Sequence, residues 1–221
     1  PKFKDRCPQL VTVEGEGQIW VCDNRRGNSP SQGSQVGLRF EEPEKLHRLD
    51  NFEDVRPGGY IPSEHLKDMD ADGVDVSIVY PSCGLRLFGT VPDSDLLTAI
   101  FRAYNDHVSE FCSEDRRRLG GIAMVNVDDV QVGVKELERA KKLGFLGAMI
   151  TVYPPEGHRY DSEEYEPFWS AAEDLEMPLS FHAATNRYGS GEGFHLSEQG
   201  RFAHRLRCAD VSRRYDYRRS I

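Results

Sequence analysis

Four polar residues stand where predicted β-strands end, and their types suit small-molecule enzymology. His182 closes the apolar run 178–182, and Ser82, Asn126 and Tyr153 follow three earlier apolar runs. A neutral imidazole at the end of a stiff strand is well placed to bind a divalent metal ion. A histidine that is merely hydrogen-bonded at the edge of the fold is the alternative that its position leaves open. The hydroxyl and amide groups would contact a substrate at the same edge.

The elements that must position these residues form an alternating series from residue 62 onward. Pro62 opens a helix that Gly73 should end, and Ser94 can cap a second helix. Asp128 or Asp129 opens a third helix, which Gly144 should close. The predicted strands are 74–80, 121–126, 146–152 and 178–182, and a fourth helix covers about 163–175. Strands separated by helices predict an α/β fold with a parallel sheet. A doubly wound sheet and a (β/α)8 barrel share this pattern, and both place their chemistry at the carboxyl ends of the strands.

The two ends of the chain differ from this alternating region. Residues 9–22 hold two β-rich runs around a glycine-containing turn, which predicts a hairpin, and residues 42–49 could form one short helix in an otherwise irregular stretch. We expect an N-terminal excursion over 1–60, a βα region over 61–190 and an irregular, arginine-rich tail over 191–221. The abrupt change in composition favours a non-native end for the tail. A basic tail that binds phosphates is the alternative.

Composition limits the class of protein. The 221 residues, 38% hydrophobic and 29% charged, suit one soluble globular domain without a membrane span or signal peptide. Net charge is −9, and residues 201–221 carry +5, which leaves −14 for residues 1–200. An acidic body argues against nucleic acid as the partner. Five widely spaced cysteines without a Cys-x-x-Cys pair favour a reducing cytoplasm over a disulfide framework.

Seven motifs in consistent order carry a family resemblance over about residues 1–190. They are PGGY (57–60), LKDMD (66–70), GVDVSIVYP (73–81), AYND (103–106), LGGIAMV (119–125), LGFLG (143–147) and FW followed by MPLSFH (168–169 and 177–182). The chain resembles the amidohydrolase-related family that includes aminocarboxymuconate semialdehyde decarboxylase. Several motifs at matching spacing make this resemblance more specific than any one of them.

The resemblance implies a (β/α)8 barrel with a divalent metal, expected to be zinc, at the strand carboxyl ends. In that family, strand five supplies the histidine that matches His182, while strand one and later strands supply the other histidines and an aspartate. The chain begins after the place of strand one, and no such ligands are recognisable past His182. The resemblance therefore implies a partial barrel of strands two to five. The implied activity is hydrolysis or non-oxidative decarboxylation of a small aromatic or conjugated carboxylic substrate.

Two other functions remain open from the sequence. One histidine cannot hold zinc where catalytic sites use about three protein ligands, so the chain could be an inactive fragment or pseudo-enzyme. A binding module built on an open sheet is the second. Unpaired barrel edges could also join copies of the chain into a homo-oligomer.

Overall fold

A computed structural model gives the fold for residues 2–30, 51–182 and 185–187. It has an antiparallel sheet near the N-terminus, which confirms the predicted hairpin, and a parallel sheet that alternates with helices. The strands are β1 (Gln9–Val13), β2 (Gly17–Cys22), β3 (Arg25–Arg26), β4 (Ser77–Val79), β5 (Leu119–Met124), β6 (Gly147–Ile150) and β7 (Leu179–Phe181). The helices are α1 (Pro62–Asp72), α2 (Leu87–Thr90), α3 (Ser94–Cys112), α4 (Val130–Lys142) and α5 (Glu166–Asp174). The helix expected near 42–49 and the tail 191–221 lie outside the described residues.

The parallel sheet has the strand order β4-β5-β6-β7, the same as the order in sequence. A doubly wound sheet reverses its order at a switch point, whereas successive barrel strands are neighbours. The sequential order therefore confirms the partial (β/α)8 barrel. No helix in the described part of the chain is both long and apolar enough to cross a bilayer.

The two faces of this sheet pack against different parts of the chain. Side chains such as Ala123 and Ile150 face the core beneath α3, α4 and α5, which also contains Phe168. Met124 and Met149, on the other face, pack against the segment that follows β4 and against the first half of α3. The helices α4 and α5 therefore cover one face, whereas the segment after β4 and the start of α3 cover part of the other.

The strands β4, β6 and β7 are shorter than the apolar runs that predicted them, and β5 has the predicted length but begins two residues earlier. Instead of covering 74–80, β4 starts at Ser77 and pairs with β5 over three residues, and Val76 is exposed. Instead of covering 121–126, β5 ends at Met124, and β7 ends at Phe181. The prediction that His182 is the last residue of a strand is wrong by one position, because the pairing with β6 stops at Phe181.

A side chain from α3 takes the place of a longer β4. Asn105, which is fully buried, donates from Nδ2 to the Met124 carbonyl at 3.0 Å and accepts from the Met124 N–H at 2.8 Å. The same amide donates to the carboxylate of buried Glu136 at 2.8 Å. Asn105 thus supplies the backbone hydrogen bonds that a neighbouring strand would otherwise have to provide at the end of β5.

The cap of α3 corrects another prediction. Asp93, and not Ser94, is the N-cap, because its carboxylate accepts from the Leu96 N–H at 3.1 Å. This backbone hydrogen bond, and then the Arg6 guanidinium, lower the pKa of Asp93. Gly73 and Gly144 have φ of 69° and 87° and stand just past the ends of α1 and α4, as predicted.

We expect Asp93 to contribute to the acid sensitivity of the fold. The pKa of Asp93 is lower in the folded than in the unfolded protein. The ionised carboxylate therefore stabilises the fold fully at a pH above the unfolded pKa of about 3.9. This stabilisation is lost as the pH falls through the folded pKa. Asp93→Asn keeps a capping oxygen but cannot ionise, so the free energy of unfolding should fall less steeply as the pH is lowered. Asp93→Ala should lose about 0.5–2 kcal/mol at neutral pH. Urea unfolding between pH 2 and 7 measures the free energy of unfolding of both variants. The same loss of stability at low pH in wild type and Asp93→Asn would contradict the assignment.

Candidate functional site

The four residues predicted for the site follow successive strands at one edge of the sheet. Ser82 comes after β4, Asn126 after β5, Tyr153 after β6 and His182 after β7. The strands are parallel and sequential, so their carboxyl ends share one edge. We call this edge the rim, meaning the segments that directly follow β4 to β7. The structure therefore brings the four residues to a common edge.

His182 is exposed at the rim, and its backbone is fixed by the next turn. Its carbonyl accepts from the Thr185 N–H at 3.1 Å and from the Thr185 hydroxyl at 2.7 Å. Ser180 pairs with Met149 on the face away from the helices. Continuing the strand alternation by one residue puts His182 on that same face, where a substrate or an ion could reach it.

Asn126 is 4% exposed, and its amide is engaged by the start of α3. Its Nδ2 donates to the Ser94 hydroxyl at 2.8 Å and to the Thr98 hydroxyl at 3.1 Å. Its Oδ1 accepts from the Asp128 N–H at 3.3 Å. These bonds fasten the end of β5 to α3, and a substrate contact for Asn126 stays a prediction.

Tyr153 and Ser82 are held mainly through their backbones. Tyr153 forms a parallel bridge with Asn186, and its carbonyl accepts from the Arg187 N–H at 3.3 Å. Ser82 is exposed and precedes the 3-10 helix Cys83–Arg86, whose Leu85 N–H donates to the Ser82 carbonyl at 3.1 Å. Their roles as substrate contacts also stay predictions.

Two hydroxyls meet across the face on which His182 lies. The Tyr80 hydroxyl, at the end of β4, is 3.0 Å from the Ser180 hydroxyl of β7. Tyr80 is 48% exposed, so this pair is accessible to a ligand. On the same face of the sheet, Met124 and Met149 are fully buried and form an apolar layer. An accessible pair of hydroxyls near this layer suits a small ligand with polar substituents.

Arg187 is a residue of the rim that sequence reasoning missed. It is 3% exposed, and its Nε donates to the two Asp128 oxygens at 2.9 and 2.8 Å. Its Nη1 donates to the carbonyls of Phe88 at 2.6 Å and Val91 at 2.7 Å. Asp129 is the helix cap, which leaves Asp128 for this ion pair. A single arginine in a polar loop belongs to no recognisable sequence motif, so its role could not be predicted from the sequence.

The guanidinium of Arg187 joins three parts of the rim that are remote in sequence. It fixes the segment after β7 to the segments that follow β4 and β5. Because its donors face a carboxylate and backbone carbonyls, we assign it to holding the rim together and not to binding a substrate anion.

The described residues do not by themselves fit a metal ion. Within 2–30, 51–182 and 185–187, no group of three His, Cys, Asp or Glu side chains could hold one. Asp128, the carboxylate of this rim region, is engaged by Arg187. Catalytic zinc sites use about three protein ligands, so His182 needs partners from elsewhere.

Comparison with known proteins gives one family and a group of decarboxylases. A family model described as amidohydrolase matches residues 43–216. A γ-resorcylate decarboxylase from Rhizobium radiobacter is 31% identical over 145 residues, which are 63% of this chain and 41% of that protein. The chain thus spans less than half the length of this curated relative.

Solved structures show the same likeness. A 2,6-dihydroxybenzoate decarboxylase complexed with 2,6-dihydroxybenzoate superposes with a TM-score of 0.53 at 26% identity, over 82% of this chain and 57% of that one. A dihydroxybenzoic acid decarboxylase from Polaromonas sp. JS666, with bound manganese and the inhibitor 2-nitroresorcinol, gives 0.51 at 23% identity, over 70% and 52% of the two chains. At this lower identity the second comparison supports the barrel fold alone.

Proposed function

The chain belongs to the amidohydrolase family, and from this premise we propose that it is part of a metal-dependent decarboxylase acting on a hydroxylated aromatic carboxylate. Its relatives favour decarboxylation over hydrolysis, because both the curated relative and the ligand-bound structure are decarboxylases of such acids. The observation that carries the proposal is the position of His182, directly after the fourth of four sequential parallel strands.

We propose His182 as one ligand of a divalent ion, and the sequence expectation for that ion is zinc. Imidazole nitrogen binds zinc and manganese alike, so the residue does not select between them. The remaining ligands would have to come from residues outside the described ranges or from a second chain. A second chain could pair with the exposed β4 or β7 edge, which is the predicted homo-oligomer. A cytoplasmic location likewise stays a prediction.

The side chains on the open face have roles that fit an aromatic acid. Met124 and Met149 would form a buried apolar layer behind the ring without contacting it, because neither side chain is exposed. The hydroxyls of Tyr80 and Ser180 can donate hydrogen bonds to a carboxylate or phenolic oxygen. Ser82 and Tyr153 would extend this polar edge.

Metal content and carbon dioxide release from 2,6-dihydroxybenzoate test the proposal on the purified 221-residue chain. We expect about one zinc or manganese ion per chain, with turnover that a chelator removes. His182→Ala should lose the ion and at least about 100-fold in turnover, because even the outer partners of a metal site are worth about 10–100-fold. His107→Ala is the matched control, since His107 is an exposed residue of α3 and lies outside the segments that follow β4 to β7.

An inactive fragment is the second candidate, and the missing three-ligand group among the described residues favours it. A folded chain with neither metal nor turnover, whether monomeric or self-associated by sedimentation, would support this candidate and exclude the first. Metal bound only in a dimer would show that a second chain completes the site.

A further inference from the structure

A second concavity lies between the N-terminal sheet and the side of α3. Its volume is about 780 Å³, within the range of small-molecule pockets. Trp20 of β2, Arg86 of the 3-10 helix after β4 and Tyr104 of α3 contribute to its wall. None of the four residues predicted for the rim site lines it. We call it the α3 cavity.

The described part of the wall of the α3 cavity is rich in aromatic side chains and has no acidic one. Trp20, Phe101 and Tyr104 present rings, and the described lining residues include no Asp or Glu. Arg86 also lines it, and in the part of the chain that the structure describes no carboxylate lies within ion-pair distance of this guanidinium. In a protein of net charge −9, a described wall that has an available arginine and no carboxylate favours an anion over a cation.

Tyr104 lines the α3 cavity, and its hydroxyl is a polar group behind the wall. It is buried and has no hydrogen-bond partner among the described residues. Burial also raises the pKa of Tyr104, which keeps the hydroxyl protonated and able to donate. A buried donor without an acceptor is costly, and a ligand oxygen would remove that cost.

We propose that the α3 cavity binds a small aromatic monoanion. Its ring would lie against Trp20 and Phe101, Tyr104 would donate a hydrogen bond to it, and Arg86 would pair with its anionic group. This site goes beyond the proposed function, because none of the four predicted rim residues lines it and it needs no metal ion. Met124 is the residue that the cavity wall shares with the apolar layer of the proposed substrate site.

Calorimetric titration of the full chain with naphthalene-2-carboxylate tests this site. We expect saturable binding of one probe per chain and weaker binding of the neutral 2-naphthalenemethanol. Tyr104→Phe should weaken binding about three- to tenfold, because it removes one hydrogen bond. Arg86→Gln should weaken binding by about tenfold or more, because it removes a charged partner. Arg117→Gln is the matched control, since its side chain is 93% exposed and does not line the cavity.

Several results would overturn the proposal. The first is the absence of saturable binding. The second is equal affinity of wild type, Tyr104→Phe and Arg86→Gln for the probe. The third is equal affinity of the wild-type chain for the anionic and the neutral probe. His182→Ala should leave the affinity unchanged. If His182→Ala abolished binding, the probe would lie at the rim, and this inference would fail while the proposed function gained support. Tyr104→Phe should fold at least as well as wild type, since it removes an unpaired buried hydroxyl.

Discussion

Replacing Arg187 with methionine is expected to lower the free energy of unfolding by about 3–5 kcal/mol. The change leaves Asp128, whose side chain is 11% exposed, without its counter-charge, and it removes donors from the carbonyls of Phe88 and Val91. Breaking a buried pair costs more than the pair contributes, because the remaining charge stays buried. Urea unfolding of the full chain, followed by circular dichroism, measures the loss.

Asp128 supplies the matching test of the same pair. Asp128→Leu alone should also be strongly destabilising, whereas the Arg187→Met/Asp128→Leu double variant should cost clearly less than the two single changes added together. Arg117→Met, at an exposed arginine, should stay within about 0.5 kcal/mol of wild type. Single variants as stable as this control would show that the guanidinium does not hold the rim.

Phe168→Ala should cost about 3–5 kcal/mol of unfolding free energy. Phe168 is fully buried on α5, stacks edge-on against Trp169 with ring centroids 5.4 Å apart, and lies close to Gly133 of α4. Truncation therefore leaves a cavity where α4 and α5 meet the sheet, and chemical denaturation would record it as a lower midpoint at unchanged slope.

Two further variants test whether the loss of stability comes from the cavity at position 168 and not from lower hydrophobicity in general. Phe168→Leu keeps most of the volume and should cost less than half as much as the alanine change. Val132→Ala, at an exposed position of α4, should change stability by no more than about 0.5 kcal/mol. An alanine variant at 168 no worse than Val132→Ala would mean that this part of the core does not pack as the structure indicates.

The sequence was sufficient for features that depend on local pattern. The βα alternation follows from periodicity, and Gly73 and Gly144 end their helices because each adopts a left-handed backbone conformation that glycine tolerates. The shared edge of Ser82, Asn126 and His182 also followed, since parallel strands place their carboxyl ends together once the order is sequential.

Features that depend on distant partners could not be predicted. The end of β5 meets Asn105, and Asn105 also meets Glu136, 31 residues further on. Asp93 caps α3, and the hydroxyl of the neighbouring Ser94 instead accepts from Asn126, 32 residues further on. No window of sequence contains both members of such pairs.

The motifs behind the family resemblance turn out to be largely structural. Asn105 of AYND satisfies a strand edge, and Phe168 of FW fills the core. At Gly121 of LGG, a Cβ would stand 2.9 Å from atoms of Phe145 and of Val108. These residues identify the fold, whereas His182 carries the proposal about chemistry.

The contacts of Arg187 also bear on when the rim can assemble as the chain is made. Its carbonyl partners at Phe88 and Val91 precede it by 99 and 96 residues. Contacts between such distant positions require the closure of a long loop, which slows their formation relative to local structure. During synthesis, the turn after β4 therefore leaves the ribosome well before its anchor, and the mouth of the barrel is among the last parts to become ordered.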